Sequence, residues 1–189
     1  MKIEEVVLEL PEGLKKANVQ FFTHQDRALL YDIYNNWVEL SAQLKNIKSR
    51  SINLPEGLSE GAFCLEMNSV RVVGNIYGAN SSFDCYNFEK KERIQVKACS
   101  VIPDLTSFGP DSVWDRLYFL NFYREGKWDG TFDIYLIKNE LIYSHNVNRL
   151  QTFQQQQKQQ RRPRLSIWKE IIIPNKIIPI KTGNLSPTS

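Results

Sequence analysis

Histidine is scarce in this sequence, which contains only His24 and His145, far apart in the chain. Neither takes part in an HxH, HxK or HExxH spacing, so most histidine-dependent metal nucleases and zinc hydrolases are excluded. The sequence also lacks a GxxxxGK[ST] loop, a GxGxxG turn after a strand and a GxSxG elbow. These absences argue against P-loop nucleotide hydrolysis, dinucleotide-dependent chemistry and serine hydrolysis.

Long apolar runs are also missing. No run approaches the roughly 20 residues that span a bilayer, and the start, MKIEEVVLEL, has no signal-peptide pattern. The three cysteines form no CxxC pair, and an odd number of them indicates free buried thiols rather than a disulfide framework. We therefore expect a cytoplasmic protein without a membrane segment.

The charge is small overall but unevenly distributed. The 189 residues carry a formal net charge of +3, with 24% charged and 42% hydrophobic residues, a composition typical of one globular domain with a substantial core. From Arg149 onward the chain has eight Lys or Arg residues and one acid, Glu170, whereas residues 1–148 have 16 basic and 20 acidic residues. The basic end is therefore a candidate contact for a polyanion.

The pattern of apolar residues predicts an α/β fold, a mixed sheet with helices on both faces. Residues 23–45 are predicted to form a helix, because Leu29, Leu30, Ile33, Trp37, Leu40 and Leu44 recur at spacings of three and four; this stripe fits core packing or a dimer surface. A second helix is predicted after an N-cap at Asn53. Strands are predicted at 6–10, 69–77, 117–123, 131–137 and 165–173, and those at 117–123 and 131–137 are expected to pair as a hairpin. A further helix is predicted within 146–160, and the tail from Pro174 is expected to be an arm or an edge strand.

Chemistry is concentrated in the stretch 81–100, SSFDCYNFEKKERIQVKACS. Two short strands joined by a charged turn are predicted, with Asp84 on the first. On the second strand, side chains alternate between faces, so Gln95 and Lys97 lie side by side on one of them. An acid, an amide oxygen and an ammonium group arranged in this way can hold a hard cation such as Mg²⁺ and place a lysine beside it.

Glu60 is a candidate fourth member of this group. It lies in the predicted helix among small and apolar neighbours, where a carboxylate needs a cation or a metal as partner. Such a site could direct water at a phosphodiester, with charge stabilisation by the metal and by Lys97. In the alternative interpretation, Asp84 caps a turn and Lys97 is a solvated residue at a strand edge.

These residues resemble the motif of the PD-(D/E)xK nuclease superfamily, and within it small type II restriction endonucleases. Asp84 matches the motif aspartate, although Phe83 replaces the preceding proline; Gln95 occupies the acidic position and Lys97 that of the lysine. Glu60 matches the additional helix carboxylate of many members. The segments SINLPEGLSE, SSFDCYN, RIQVKACS, DLTSFGP, KWDGTFDIY and QQRRPRLSI resemble the subfamily that cuts the interrupted palindrome GCNGC.

The resemblance implies a restriction-endonuclease-like fold and a Mg²⁺-dependent endonuclease that cuts both strands of DNA. Metal ligands would be Asp84, Gln95 and Glu60, with Lys97 as the catalytic lysine. It further implies a single nuclease domain over 1–189, with an N-terminal helical region at 1–48, a catalytic core at 50–173 and a C-terminal arm at 174–189. A palindromic site is most simply cut by a two-fold symmetric homodimer.

DNA contacts are expected from the basic end of the chain. Arginine is the commonest reader of guanine and also binds phosphate. The candidates are Arg161, Arg162 and Arg164, with Gln159 and Gln160 beside them and Ser100, Ser107 and Lys127 in loops or turns. Two other functions stay open from the residues alone: a junction resolvase or nicking repair nuclease on the same scaffold, and a non-catalytic DNA-binding module.

Overall fold

The structure, a computed structural model, describes residues 1–50, 52–79 and 82–186. The first residue of the motif stretch, Ser81, and the last three residues of the C-terminal arm lie outside these ranges. The elements are β1 (Lys2–Leu10), β2 (Gly13–Phe21), α1 (Arg27–Asn46), α2 (Glu56–Met67), β3 (Val70–Val73), β4 (Cys85–Asn87), β5 (Glu92–Cys99), β6 (Thr106–Ser107), β7 (Arg116–Asn121), β8 (Thr131–Ile137), α3 (Asn139–Tyr143), α4 (Phe153–Lys158), β9 (Arg164–Leu165) and β10 (Lys181–Asn184).

Within the residues that the structure describes, eight strands form one mixed sheet in the order β1-β2-β3-β4-β5-β7-β8-β10. Neighbouring strands are antiparallel except β5 and β7, which run parallel near the middle of the sheet. Strands β6 and β9 form a separate two-stranded ladder. The predicted fold class is confirmed: this is an α/β protein with a restriction-endonuclease-like mixed sheet flanked by helices.

Helices α1 and α2 cover one face of the sheet. Thr23 and Asp26 form a capping box around a short 3-10 turn, His24–Asp26, that leads into α1, and the Asp26 carboxylate accepts the backbone N–H of Thr23 at 2.8 Å. Within α1, Leu30 and Trp37 are buried against the sheet, whereas Leu29, Ile33 and Leu40 of the same predicted stripe are exposed. Only part of the predicted stripe therefore packs in the core.

The second helix, α2, lies very close to the end of β2. A Cβ atom on Gly61 would lie 2.8 Å from the ring of Phe22, so glycine is needed for this approach. The predicted N-cap at Asn53 is wrong by two residues: Pro55 occupies that position, and α2 begins at Glu56.

The opposite face is covered by α3, α4 and an aromatic cluster. Phe108, Trp114 and Phe153 are buried there in mutual ring contact. The predicted alternation along β5 is confirmed, because Val96 packs in the core beneath α1 and α2 while Cys99 packs in this second core. Helices thus lie on both faces, and β5 separates two hydrophobic cores.

Some local predictions differ from the structure. The strand predicted at 69–77 is limited to β3, the helix predicted within 146–160 is limited to α4, and β2 was not predicted. The hairpin of β7 and β8 is confirmed by their antiparallel pairing. Of the two alternatives for the tail, the edge strand is confirmed, because β10 pairs with β8.

The strand predicted at 165–173 is wrong. After the two residues of β9, the chain forms a π-helical segment, Ile167–Ile172. The buried carboxylate of Asp104 accepts the backbone N–H of Ile167 and of Trp168, each at 3.0 Å, and the Ser166 hydroxyl accepts the N–H of Lys169. These side chains satisfy the donors that a helical turn leaves free at its start, so the helix forms despite its β-branched residues.

Two further predictions concern the cysteines and membranes. Cys64, Cys85 and Cys99 are free and buried, as predicted. Within the described part of the chain, no helix is long and apolar enough to cross a membrane.

Candidate active site

A cleft opens where β4 and β5 separate. Cys85 pairs with Ile94 in the ladder, and the Asp84 N–H donates to the Ile94 carbonyl at 3.0 Å. Beyond Ile94 the two strands no longer pair. There the Asp84 carboxylate replaces the backbone of the neighbouring strand as acceptor, and it accepts the N–H of Val96 at 2.8 Å. The motif aspartate therefore stands at the branch point of the two strands.

The cleft beside Asp84 has a volume of about 320 Å³. We call it the Asp84 cleft. Its lining includes Asn53, Leu54, Glu56, Ser59, Glu60, Asp84, Val96, Lys97, Ala98, Cys99, Ser100, Val101, Asp104, Leu105, Thr106 and Ser107. Three of the four predicted catalytic residues, Glu60, Asp84 and Lys97, thus share one cleft.

Gln95, the fourth, is 2% exposed and does not line the cleft itself. Its side-chain Nε2 donates to the same Asp84 oxygen that accepts the Val96 N–H. Its Oε1 is buried and has no hydrogen-bond partner among the described residues. The amide therefore has a free oxygen, which becomes a hard donor beside Asp84 when the amide group turns over and exchanges its nitrogen and oxygen.

Glu60 reaches the cleft from α2 and is paired there with a residue that sequence reasoning missed. Arg71, on β3, donates its Nε to Glu60 Oε2 and its Nη1 to Gln20 Oε1 at 3.3 Å. Burial raises the pKa of Glu60 to about 7, and the charge of Asp84 adds to this rise, while Arg71 opposes it. Glu60 is therefore held by an arginine in this structure, and binding a metal would compete with that ion pair.

Lys97 reaches the cleft from β5. Burial raises the pKa of Asp84 above its ordinary value, and the nearby positive charge of Lys97 opposes this rise. The Lys97 ammonium lies 5.2 Å from the centroid of the Phe108 ring, and no carboxylate among the described residues pairs with it directly. Its charge is thus available to a ligand in the cleft.

The donor set suits a hard divalent cation. Carboxylate and amide oxygens are the ligands that Mg²⁺ and Ca²⁺ prefer, and Asp84, Gln95 and Glu60 supply both kinds. Residues 1–50, 52–79 and 82–186 contain no group of three or more His, Cys, Asp or Glu side chains arranged as a metal site. A cation bound here would therefore need the amide of Gln95 or water in addition to the two carboxylates.

The predicted DNA contacts divide into three places. Ser107 lines the Asp84 cleft and pairs in register with Arg164 across the β6–β9 ladder, and Ser100 also lines the cleft. Arg161 and Gln159 both contact Gln151 at 2.8 Å, which leaves their polar heads partly engaged. The side chains of Arg162 and Gln160 are exposed, and Lys127 lies outside this cleft in the turn between β7 and β8.

A mixed sheet flanked by helices places this fold in the restriction-endonuclease-like class. The family model described as Bsp6I restriction endonuclease matches residues 22–174. The chain is also 37% identical over 150 residues to the type II restriction enzyme Bsp6I of Bacillus sp. (strain RFL6), covering 78% of this chain and 81% of that enzyme. No solved structure matches the chain.

This chain therefore belongs to the Bsp6I restriction endonuclease family and is a type II site-specific endonuclease. Membership implies that it binds DNA and that its reaction needs a divalent metal ion.

Proposed function

We propose that this protein cuts both strands of the interrupted palindrome GCNGC by Mg²⁺-assisted attack of water in the Asp84 cleft, as a PD-(D/E)xK nuclease. The observation that carries the proposal is the meeting of Asp84, Gln95 and Lys97 where β4 and β5 separate. The specific sequence rests on the resemblance of segments across residues 50–170 to the GCNGC-cutting subfamily.

In this proposal, Asp84 and Gln95 hold the cation, and Glu60 contributes when it leaves Arg71. When bound, Mg²⁺ supplies Lewis acidity for activating water and for the charge that develops on the phosphate. Gln95 is neutral, so the site has one negative charge fewer than a site with an acid at this position. The ammonium of Lys97 attracts the scissile phosphate and stabilises hydroxide beside it.

The protein acts as a homodimer in this proposal. A palindrome presents the same half-site twice, related by a two-fold axis, and each subunit would supply one cleft to one strand. Arg161, Arg162 and Arg164, with Gln159 and Gln160, are proposed to contact bases or phosphates at the basic end, and Ser100 and Ser107 to do so at the cleft. Size measurement with and without a duplex carrying GCNGC tests the dimer.

Incubating the protein with plasmid DNA and Mg²⁺ tests the reaction. Discrete double-strand fragments whose ends map to GCNGC are expected. Fragments that map to another sequence would refute the specificity alone, whereas nicked circles or cut junctions alone would favour a nicking nuclease or a resolvase.

The choice of variant matters for testing Asp84. Alanine there would remove the acceptor of the Val96 N–H, and a buried donor without a partner costs about 1–3 kcal/mol, so the fold would suffer as well. Asp84→Asn keeps an oxygen acceptor and removes the charge. We expect Asp84→Asn and Lys97→Ala to lose cleavage and keep DNA binding, with Lys90→Ala, an exposed lysine in the β4–β5 turn, as the matched control.

A further inference from the structure

A second cleft lies beside the Asp84 cleft and has a different charge. It has a volume of about 620 Å³, and we call it the basic cleft; its lining includes Ser41, Lys45, Arg50, Val101, Tyr123 and Trp128. No carboxylate is among these lining residues. A cleft with cations and no acid is suited to an anion.

The two clefts share one wall. Val101 lines both of them. The carbonyl of Ser100, which lines the Asp84 cleft, accepts the indole N–H of Trp128 at 2.7 Å, and Trp128 packs edge-on against Trp37 of α1 with ring centroids 5.0 Å apart. The position of the basic cleft relative to Asp84 is therefore fixed by packing, so a ligand that fills one cleft is presented to the other.

Four cations lie on or next to the basic cleft, and one of them, Lys127, helps to lower the pKa of Asp129 through its charge. Lys45, Lys48 and Arg50 at the end of α1, and Lys127 in the β7–β8 turn, are exposed. In the ranges that the structure describes, none of the four forms an ion pair. Such a concentration of like charge is unfavourable in the free protein and is relieved when an anion binds.

The end of a helix explains only part of this cluster. Lys45 in the last turn of α1 interacts favourably with the helix dipole, and Lys48 takes the left-handed conformation (φ 57°) that ends the helix. Arg50 and Lys127 lie outside α1, so the dipole gives no reason for their positions. Ser41, buried in the wall of the cleft, has a hydroxyl without a hydrogen-bond partner among the described residues.

We propose that the basic cleft binds the phosphate backbone of the duplex whose scissile phosphate lies in the Asp84 cleft, with Lys45 and Arg50 as the main contacts and Lys48 and Lys127 beside them. This inference rests on the proposed function. It adds a second line of backbone contacts to those expected around Arg164, whose strand pairs with that of Ser107, a residue that lines the Asp84 cleft. The duplex is then held on both sides of the reacting bond, by contacts that position it without reading its sequence.

The test is the salt dependence of duplex binding by Lys45→Gln/Arg50→Gln. Each phosphate contact contributes about 0.9 to the slope of log K against log salt concentration, so losing two should reduce the slope by roughly 1.8. Binding is measured in EDTA, to prevent cutting, with a duplex of arbitrary sequence and with one that the enzyme cuts. Affinity should fall tenfold or more near 0.1 M salt and by the same factor for both duplexes.

The matched control is Lys90→Gln/Lys138→Gln. It also removes two positive charges, but from exposed lysines at the end of the sheet away from both clefts. Lys90 precedes β5 and Lys138 follows β8, whereas the clefts lie toward the end of β5 and the start of β8. Its slope should stay close to that of the wild type. Lys127→Gln, which changes no helix residue, should reduce the slope by about half as much as the double variant. The midpoint of thermal unfolding should shift by no more than about 4 °C in all three variants, the size of a lost interaction with a helix dipole.

Three results would overturn the inference, and the first two are an unchanged slope in Lys45→Gln/Arg50→Gln and an equal loss in the control. A loss confined to the cut sequence would mean base readout rather than phosphate contact and would also overturn it. Failure of the proposed function has a different signature, because the wild type would then leave plasmid DNA intact with Mg²⁺. If the wild type cuts and the slope is unchanged, only the inference fails.

Discussion

Replacing Gln95 with glutamate is the sharpest test of the candidate metal site. In the structure the Gln95 amide donates to Asp84, so the two side chains touch in a buried setting. Gln95→Glu replaces that donor with a second carboxylate of nearly the same shape. The free protein then has two like charges in contact, whereas a bound cation would gain one more anionic ligand.

The expected loss of stability follows from the contact. Two charges about 4 Å apart at an effective dielectric constant of about 20 repel by about 4 kcal/mol. Gln95→Leu loses only a hydrogen bond to a charged group, about 1.5–3 kcal/mol. In EDTA we therefore expect the free energy of unfolding to fall by about 4 kcal/mol in Gln95→Glu and by less in Gln95→Leu, measured by urea titration.

The gain in stability on adding Mg²⁺ should follow the opposite order. A ligand at 100 times its dissociation constant stabilises the folded state by about 2.7 kcal/mol, and tighter binding by the dicarboxylate gives it the larger gain. We expect Mg²⁺ to stabilise Gln95→Glu most, the wild type less and Gln95→Leu least. If Gln95→Glu is no less stable than Gln95→Leu in EDTA, the side chain at position 95 does not contact Asp84 as described. If Mg²⁺ stabilises all three proteins equally, Gln95 is not a metal ligand.

Three further predictions concern DNA binding, packing and pH. Arg164→Ala should weaken duplex binding, with a slope against salt lower by about 0.9 if the side chain contacts phosphate; an unchanged affinity at every salt concentration would remove it from the interface. Gly61→Ala should lower the free energy of unfolding by about 1–3 kcal/mol in chemical denaturation, because its Cβ would lie 2.8 Å from an aromatic ring. Gly57→Ala in the same helix, whose Cβ would have its nearest neighbour at 3.7 Å, should not lower it. Partial burial raises the pKa of Asp115, but the hydrogen bonds from Arg93 outweigh it and hold that pKa below its ordinary value. The stability lost in Asp115→Asn should therefore be seen in full above about pH 4 and should disappear as the pH falls through the lowered pKa. A difference in stability that persists in acid would contradict this.

The parts of the fold that could be predicted depend on local periodicity. The alternation along β5 and the pairing of β7 with β8 follow from residues close in the chain, and both are seen in the structure. The grouping of Asp84 with Lys97 in one cleft also follows from a short stretch, because the strands that carry them are neighbours.

The parts that could not be predicted depend on distant partners. The segment after β9 is helical because Asp104, about 60 residues earlier, accepts its backbone donors, and nothing in the local run of isoleucines indicates this. Likewise, Arg71 lies in a valine-rich stretch, and its role as the partner of Glu60 depends on how β3 packs against α2. An arginine inside an apolar strand was the one signal, since a buried cation needs a carboxylate.

The branching of β4 from β5 gives this protein an internal spectroscopic probe. The Val96 amide proton is bonded to a side chain of the candidate site instead of to a neighbouring strand. Its chemical shift and its rate of exchange with solvent therefore depend on the state of the Asp84 carboxylate. In a nitrogen-15 spectrum, one backbone resonance would follow cation binding and the arrival of DNA in the cleft without any label attached to the site.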